Sequence, residues 1–246
     1  MGAQGRRRVA AQTARRRAPL DIDANWRATA ATLAQFIDEV ADIDLGDGFA
    51  FEIGEPKTLQ GETEGGYRYP VHALMAGRTF ERFRLDVNVV PNDPRPVETA
   101  IIDEHLLSFA GQPAFQVPVV PIAQQLAEKL HACVRSYAGQ ASSRPKDAFD
   151  TAALSGTVLL PSAGRLRDAV RVTFTLRQTA VPHAPPPLPA DWDSRLEGFL
   201  QEHPLAGVFN AEALRARWMD LWSPVLGGSA ADDAAWDIDT AAWRTV

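Results

Sequence analysis

The strongest constraint on the fold is an alternating pattern that runs through two neighbouring segments, residues 67–75 and 83–89. In each segment every second residue is apolar, which is the period of a β-strand with one buried face. Ala76-Gly77-Arg78 separates the two segments and is typical of a turn. In the second segment the polar residues all fall on the other face, namely Arg84, Asp86 and Asn88. We therefore expect a β-hairpin that presents Asp86 opposite its apolar row.

The period of the pattern changes after Pro121 and remains helical to the end of the chain. Before it, residues 20–22 and 49–53 favour short strands, and residues 26–40 favour a helix that starts at Trp26. After it, helices are predicted over residues 122–137 with Gly139 as C-cap, from Ser143 and Pro145 onward, and over 164–177, 192–202 and 212–222. The expected fold class is α+β, with an α/β domain over residues 1–120 and a mostly helical domain over residues 121–246.

Composition and charge narrow the class of protein. No apolar stretch approaches the ~20 residues that span a bilayer, and the one cysteine, Cys133, fits a reducing compartment. We expect a soluble, cytoplasmic protein with no membrane partner. Six arginines within residues 1–17 leave the rest of the chain strongly acidic, although the formal net charge is only −6. An acidic body argues against broad binding of nucleic acid through its phosphates.

Three aspartates are candidates for a metal site. Asp21 and Asp23 are alternate residues of a predicted strand, so they share a face, and Asp86 lies in a later strand. Three carboxylates on neighbouring strands are the usual cradle for two Mg²⁺ ions in nucleotidyl transfer. Asp-x-Asp also occurs at residues 42–44, 191–193 and 237–239, so ordinary surface acids remain an alternative.

Lysine is rare in this chain, and its placement suggests a second candidate cluster. There are three lysines, Lys57, Lys129 and Lys146, and two of them fall within residues 126–150 beside Arg144 and Asp147. A lysine provides a compact point charge for a single phosphate or carboxylate. These residues are interpreted either as a phosphate or carboxylate contact or as solvated helix charge. His131 is expected to be a partly buried helix residue rather than a metal ligand, since no Cys or His lies at ligand spacing from it. Cys133 lies on the apolar face of the same helix and is expected in the core.

The candidate segments together resemble the AbiEii/AbiGii toxin family of nucleotidyltransferases, the toxin half of bacterial toxin–antitoxin pairs. The resemblance covers roughly residues 14–221. It lies in the segments Ala14-Arg-Arg-Arg-Ala-Pro-Leu-Asp-Ile-Asp, Arg84-Leu-Asp-Val, Ala127-Glu-Lys-Leu-His-Ala, Ser143-Arg-Pro-Lys-Asp-Ala-Phe-Asp and Val172-Thr-Phe-Thr-Leu-Arg-Gln-Thr-Ala-Val-Pro. The resemblance implies a small sheet of the DNA polymerase β type followed by a helical C-terminal domain, and a cognate antitoxin as partner.

The resemblance also implies an activity, the Mg²⁺-dependent transfer of a nucleoside monophosphate from an NTP to a hydroxyl of RNA, such as a tRNA end, or of protein. It assigns a role to each candidate residue. The metal ligands are Asp21, Asp23 and Asp86, with Asp86 also the base on the acceptor. Lys129 meets the triphosphate, Asp147 orients the triphosphate or Lys129, and Arg17, Arg144 and Lys146 contact substrate, either phosphate or acceptor.

One family element is missing from the chain. The family has a Gly-Gly or Gly-Ser pair on a helix before Asp-x-Asp, whereas only Gly2 and Gly5 precede Asp21 here, and no serine does. We expect residues 1–13 to be poorly ordered or to form an irregular helix edge, leaving the triphosphate pocket incomplete and nucleotide affinity weak. The alternative function is a catalytically inactive binding protein that keeps the nucleotidyltransferase fold.

Overall fold

The structure is a computed structural model that describes residues 21–59, 65–102, 114–135, 144–202 and 210–245. Their contacts divide the chain into two compact units, with the boundary near Pro94. The sequence predicted a domain boundary at residue 120, whereas the described residues 95–102 and 114–120 belong by their contacts to the same unit as the helices. The assignment of functional domains stays a prediction.

The first unit contains a five-stranded sheet and one helix. The strands are β1 (Asp21–Trp26), β2 (Phe49–Ile53), β3 (Lys57–Leu59), β4 (Gly66–Met75) and β5 (Arg78–Val89). Their order is β1-β5-β4-β2, and β3 also pairs with β4, beyond the part of β4 that pairs with β2. Strand β1 runs parallel to β5, and the other pairings are antiparallel.

Strands β4 and β5 form the hairpin that the alternation predicted. Ala76 and Gly77 make the turn with φ values of 48° and 75°, the left-handed conformation that a tight two-residue hairpin turn requires. The pairing register shifts between Ala73 and Leu74, which marks a β-bulge. The bulge therefore sets which residues of the two strands face each other beyond it.

Helix α1 (Ala30–Ala41) covers one face of this sheet. Its buried residues Leu33 and Ile37 belong to one apolar cluster with Val87 and Val89 of β5. The prediction that the helix starts at Trp26 was wrong, because Trp26 is the last residue of β1 and Thr29 is the N-cap. The side chain of Thr29 accepts a hydrogen bond from the amide of Thr32, which satisfies one of the unpaired amides of the first turn.

The second unit is mostly helical. Its helices are α2 (Ile122–Val134), α3 (Pro145–Thr157), α4 (Ala163–Leu176), α5 (Asp193–Glu202) and α6 (Ala211–Leu226). Two hairpins flank them, formed by β6 (Glu98–Ile102) with β7 (Phe115–Val119) and by β8 (Ala235–Asp237) with β9 (Ala242–Arg244). The core between the helices is built from large, fully buried side chains, among them Leu126, Leu130, Leu166, Phe174, Trp218 and Trp222. The α+β fold class is thus confirmed.

Most predicted helices are confirmed, with shifted ends. Helix α2 ends at Val134 rather than at residue 137, because Arg135 has an extended backbone, and Gly139 lies outside the described residues. Helix α6 continues past residue 222 to Leu226 with Pro224 inside it. Cys133 is buried, as expected, and His131 is buried rather than only partly buried. No helix in the described part of the chain has the length and apolar character needed to cross a membrane.

Candidate active site

Asp23 and Asp86 lie side by side on adjacent parallel strands. In the pairing of β1 with β5, Asp23 is the register partner of Asp86 and Asp21 is the partner of Arg84. Because the buried Val87 faces α1, Asp86 lies on the opposite face of the sheet, and Asp23 shares that face as its register partner. Asp21 is placed two residues before Asp23 on β1, but its side chain lies outside the described residues.

A bidentate ion pair joins Asp86 to Arg68 of β4, its register partner on the other side. Nε of Arg68 donates to Oδ1 of Asp86 at 2.7 Å, and Nη2 donates to Oδ2 at 2.5 Å. These hydrogen bonds hold the pKa of the Asp86 carboxyl below its usual range, although partial burial acts in the opposite direction. Asp86 is therefore ionised near neutral pH, and its orientation is fixed by a planar fork.

The same face carries an ordered row of charges across four strands. Asp23, Asp86, Arg68 and Lys57 are consecutive register partners on β1, β5, β4 and β3. The row therefore changes from acidic to basic across the sheet. Two residues further along β1 and β5, Asn25 and Asn88 are register partners. Nδ2 of Asn88 lies 3.5 Å from Oδ1 of Asn25. This face therefore carries carboxylates at one side of the sheet and positive charge at the other.

The second unit contains the predicted lysine cluster. Nζ of Lys129 on α2 lies 2.7 Å from Oδ2 of Asp150 and 3.7 Å from Oδ1 of Asp147, both on α3. All three side chains are about one-fifth exposed. The lysine thus bridges two helices that pack against each other.

Two more basic side chains complete this lysine cluster from the start of α3. Nζ of Lys146 lies 3.0 Å from Oδ2 of Asp150, and Nη1 of Arg144 lies 3.8 Å from Oδ2 of Asp147. Both basic side chains are mostly exposed. Pro145 takes an early helical position, as predicted, but the N-cap is Arg144 rather than Ser143, which lies outside the described residues. Three cations share two carboxylates, so the cluster keeps a net positive charge.

The sequence did not single out two residues that the structure brings into these clusters. Arg68 occupies a polar position in an alternating strand, and Asp150 follows Lys146 by four residues on α3, which places it on the same helix side. The helix spacing was a usable signal for Asp150. Arg17 lies outside the described residues, as do residues 1–13. The two clusters lie in different compact units.

Neither buried residue beside the lysine cluster has the properties of a catalytic group. Burial raises the pKa of the Cys133 thiol to about 12, so the nucleophilic thiolate is not formed at neutral pH. Burial lowers the pKa of His131, whose Nε2 lies 3.1 Å from Oγ1 of Thr179 and whose ring packs on Phe174. Both belong to the packing of α2.

Within the described part of the chain, no group of three or more His, Cys, Asp or Glu side chains is arranged to hold a metal ion. Of the three predicted metal ligands, Asp23 and Asp86 have described side chains. The side chain of the third, Asp21, lies outside the described residues. Carboxylate oxygens are the ligands that Mg²⁺ prefers. The chemistry of this pair fits such an ion.

Comparison with known proteins identifies the family. The family described as the nucleotidyl transferase AbiEii toxin of type IV toxin–antitoxin systems matches residues 14–242. The chain is similar in structure to MenT4, a nucleotidyltransferase toxin from Mycobacterium tuberculosis H37Rv, with 16% identity, a TM-score of 0.41, and coverage of 81% of this chain and 71% of that one. No curated protein matches the sequence. Because the family match extends over nearly the whole chain, the protein belongs to the AbiEii family of nucleotidyltransferase toxins of type IV toxin–antitoxin systems.

Proposed function

We propose that this nucleotidyltransferase transfers a nucleoside monophosphate from an NTP to a hydroxyl group of RNA or protein, in a reaction that depends on Mg²⁺. The observation that carries the proposal is the register pairing of Asp23 with Asp86 on the polar face of the sheet. Two adjacent carboxylates on rigid strands are what phosphoryl and nucleotidyl transfer require for a bound divalent ion. The family's antitoxin is the expected partner.

The proposed metal ligands are Asp23 and Asp86. Asp21 is included because it lies on β1 two residues before Asp23. A bound Mg²⁺ supplies electrostatic stabilisation of the charge that develops on the phosphoryl oxygens. The protein contributes the orientation of its ligands. Arg68 holds Asp86 by two hydrogen bonds, so one ligand is preorganised before substrate arrives.

The lowered pKa of Asp86 refines its role toward the acceptor. A general base works best when its pKa lies near the working pH, whereas the Arg68 guanidinium lowers the pKa of this carboxyl below its usual range. We assign Asp86 to metal ligation and to accepting the hydrogen bond of the acceptor hydroxyl, which aligns that oxygen for attack. It serves as an orienting group more than as the final proton acceptor.

The lysine cluster is assigned to the triphosphate. Asp147 and Asp150 fix the ammonium of Lys129 between α2 and α3, so Lys129 meets phosphate as a positioned point charge. The exposed Arg144 and Lys146 add contacts to phosphate or acceptor.

Transfer of label from each α-³²P NTP to RNA and to protein, with and without Mg²⁺, tests the proposal. Asp23→Asn, Asp86→Asn and Lys129→Ala should each lower transfer by more than about 100-fold, the loss expected for groups that stabilise a transition state. Asp44→Asn is the matched control. Asp44 also belongs to an Asp-x-Asp pair, is exposed, and accepts a turn hydrogen bond from the amide of Gly46 that asparagine also accepts.

Two results would contradict the proposal in different ways. Transfer that survives in the Asp23 and Asp86 variants would remove the sheet carboxylates from the reaction. A second contrary result has two parts: the wild-type protein transfers no label, and the Asp86→Asn variant binds a partner as tightly as the wild type does. This result would favour the inactive binding protein.

A further inference from the structure

Arg68 orients the Asp86 carboxylate, and its charge has a second consequence for the carboxylate pair. It reaches Asp86 across the β4–β5 pairing with hydrogen bonds of 2.7 and 2.5 Å. Its side chain is 38% exposed, against 13% for Asp86. A bidentate fork of this kind fixes both the position and the plane of a carboxylate.

The ion pair also changes how the carboxylate pair binds cations. Asp23 and Asp86 lie on neighbouring strands, about 4.8 Å apart in the hydrogen-bonding direction. Two such negative charges attract a divalent ion strongly, and one adjacent positive charge offsets much of that attraction. Arg68 lies next to the acids in the charge row, whereas Lys57 lies one strand further away. Arg68 therefore weakens the binding of a divalent cation in the absence of nucleotide more than Lys57 does.

We propose that Arg68 is a positioning residue for nucleotidyl transfer: its fork fixes the Asp86 carboxylate beside Asp23, and its charge keeps this pair from binding a divalent ion firmly until the phosphates of the nucleotide supply further ligands. The inference rests on the proposed function, because it takes Asp86 as a metal ligand. It separates two contributions of one side chain, the geometry of the fork and the charge.

The two contributions predict opposite effects on two measurements. Arg68→Met removes both fork and charge, so Mn²⁺ in the absence of nucleotide should bind about tenfold more tightly, while kcat should fall by about tenfold or more. Arg68→Lys keeps the charge and loses the fork, so Mn²⁺ affinity should stay within about twofold of wild type while kcat still falls. A merely structural role would weaken both properties together.

Mn²⁺ binding is measured on the full chain by calorimetry, and by the loss of the electron paramagnetic resonance signal of free Mn²⁺, without nucleotide. Arg82→Met is the matched control. Arg82 lies on β5 four residues before Asp86, on the same face of the strand, and its register partner is His72 rather than Arg68. Its Mn²⁺ affinity and kcat should match wild type. Thermal unfolding verifies that each variant is folded, and Arg68→Gln replaces Arg68→Met if the latter is not.

Asp86→Asn distinguishes failure of this inference from failure of the proposed function. If Asp86→Asn binds Mn²⁺ like wild type, Asp86 is not a ligand, and the proposed function and this inference both fall. If Asp86→Asn loses Mn²⁺ binding while Arg68→Met binds it no more tightly than wild type, the role of Arg68 is overturned alone. Tighter Mn²⁺ binding with reduced kcat in Arg68→Met, together with the Arg68→Lys result, supports it.

Discussion

The ammonium of Lys129 donates a 2.7 Å hydrogen bond to the carboxylate of Asp150, joining helices α2 and α3. This contact is shorter than the 3.7 Å contact of the same ammonium with Asp147, the aspartate that the sequence singled out. The stronger partner of Lys129 is thus one helical turn further along α3. Any role of Lys129 at phosphate depends on both acids.

The first prediction concerns this contact. Asp150→Asn should raise the KM for NTP and reduce transfer less than Lys129→Ala does, because Asp147 still holds the ammonium. The free energy of unfolding should fall by about 1 kcal/mol, since the pair is only partly exposed. Steady-state kinetics and urea denaturation measure both effects. Asp168→Asn is the control, because it breaks an exposed i,i+3 pair with Arg171 and should change neither value.

A second prediction separates function from folding at Lys129. Lys129→Ala should abolish transfer while the protein remains folded, because the fully buried Leu126 and Leu130 form the core face of α2 and Lys129 lies beside them. Circular dichroism and thermal unfolding monitor the fold. Loss of the folded state in this variant would instead make Lys129 a structural bridge between α2 and α3.

The alternating and helical patterns explain why much of the fold was predictable. The β4–β5 hairpin and the helices of the second unit were predicted from local periodicity, which requires knowledge only of near neighbours. Trp26 was assigned to a helix because a large aromatic residue suits both a helix and a strand, and the Thr29 cap decides the start. Strands β8 and β9 have only three residues each, too few to show a period.

The pairing of the two carboxylates could not be predicted from local sequence patterns. The pairing of Asp23 with Asp86 joins strands that are far apart in sequence, and no local period predicts a parallel register. For Arg68 the decisive feature is the bulge between Ala73 and Leu74. Counting outward from the Met75–Arg78 pair without that shift would place Arg68 opposite Leu85 instead of Asp86.

A third prediction concerns the C-terminal hairpin. Nε1 of Trp236 on β8 donates a 2.8 Å hydrogen bond to the carbonyl of Ser155 on α3, and both groups are buried. Trp236→Phe leaves that carbonyl without this donor and should lower the free energy of unfolding by about 1–3 kcal/mol. Trp243→Phe also removes a hydrogen bond, to the carbonyl of Leu221, but from a less buried ring, and should cost less. Urea denaturation of the two variants gives the comparison, and equal losses would contradict the burial argument.

The last prediction follows from the lowered pKa of Asp86. Because Arg68 favours the ionised carboxylate in the folded protein, the pair contributes stability above the unfolded pKa, near 3.8, and this contribution is lost as pH falls through the lower folded pKa. The free energy of unfolding of wild type should therefore exceed that of Arg68→Met between about pH 5 and 7, where the Asp86 carboxyl is ionised in both the folded and the unfolded chain. The difference should shrink as pH falls below about 4, where the carboxyl of the unfolded chain becomes protonated. Urea denaturation at a series of pH values measures it. A difference that stays constant into the acid range would show that Arg68 stabilises the sheet by packing rather than through the charge of Asp86.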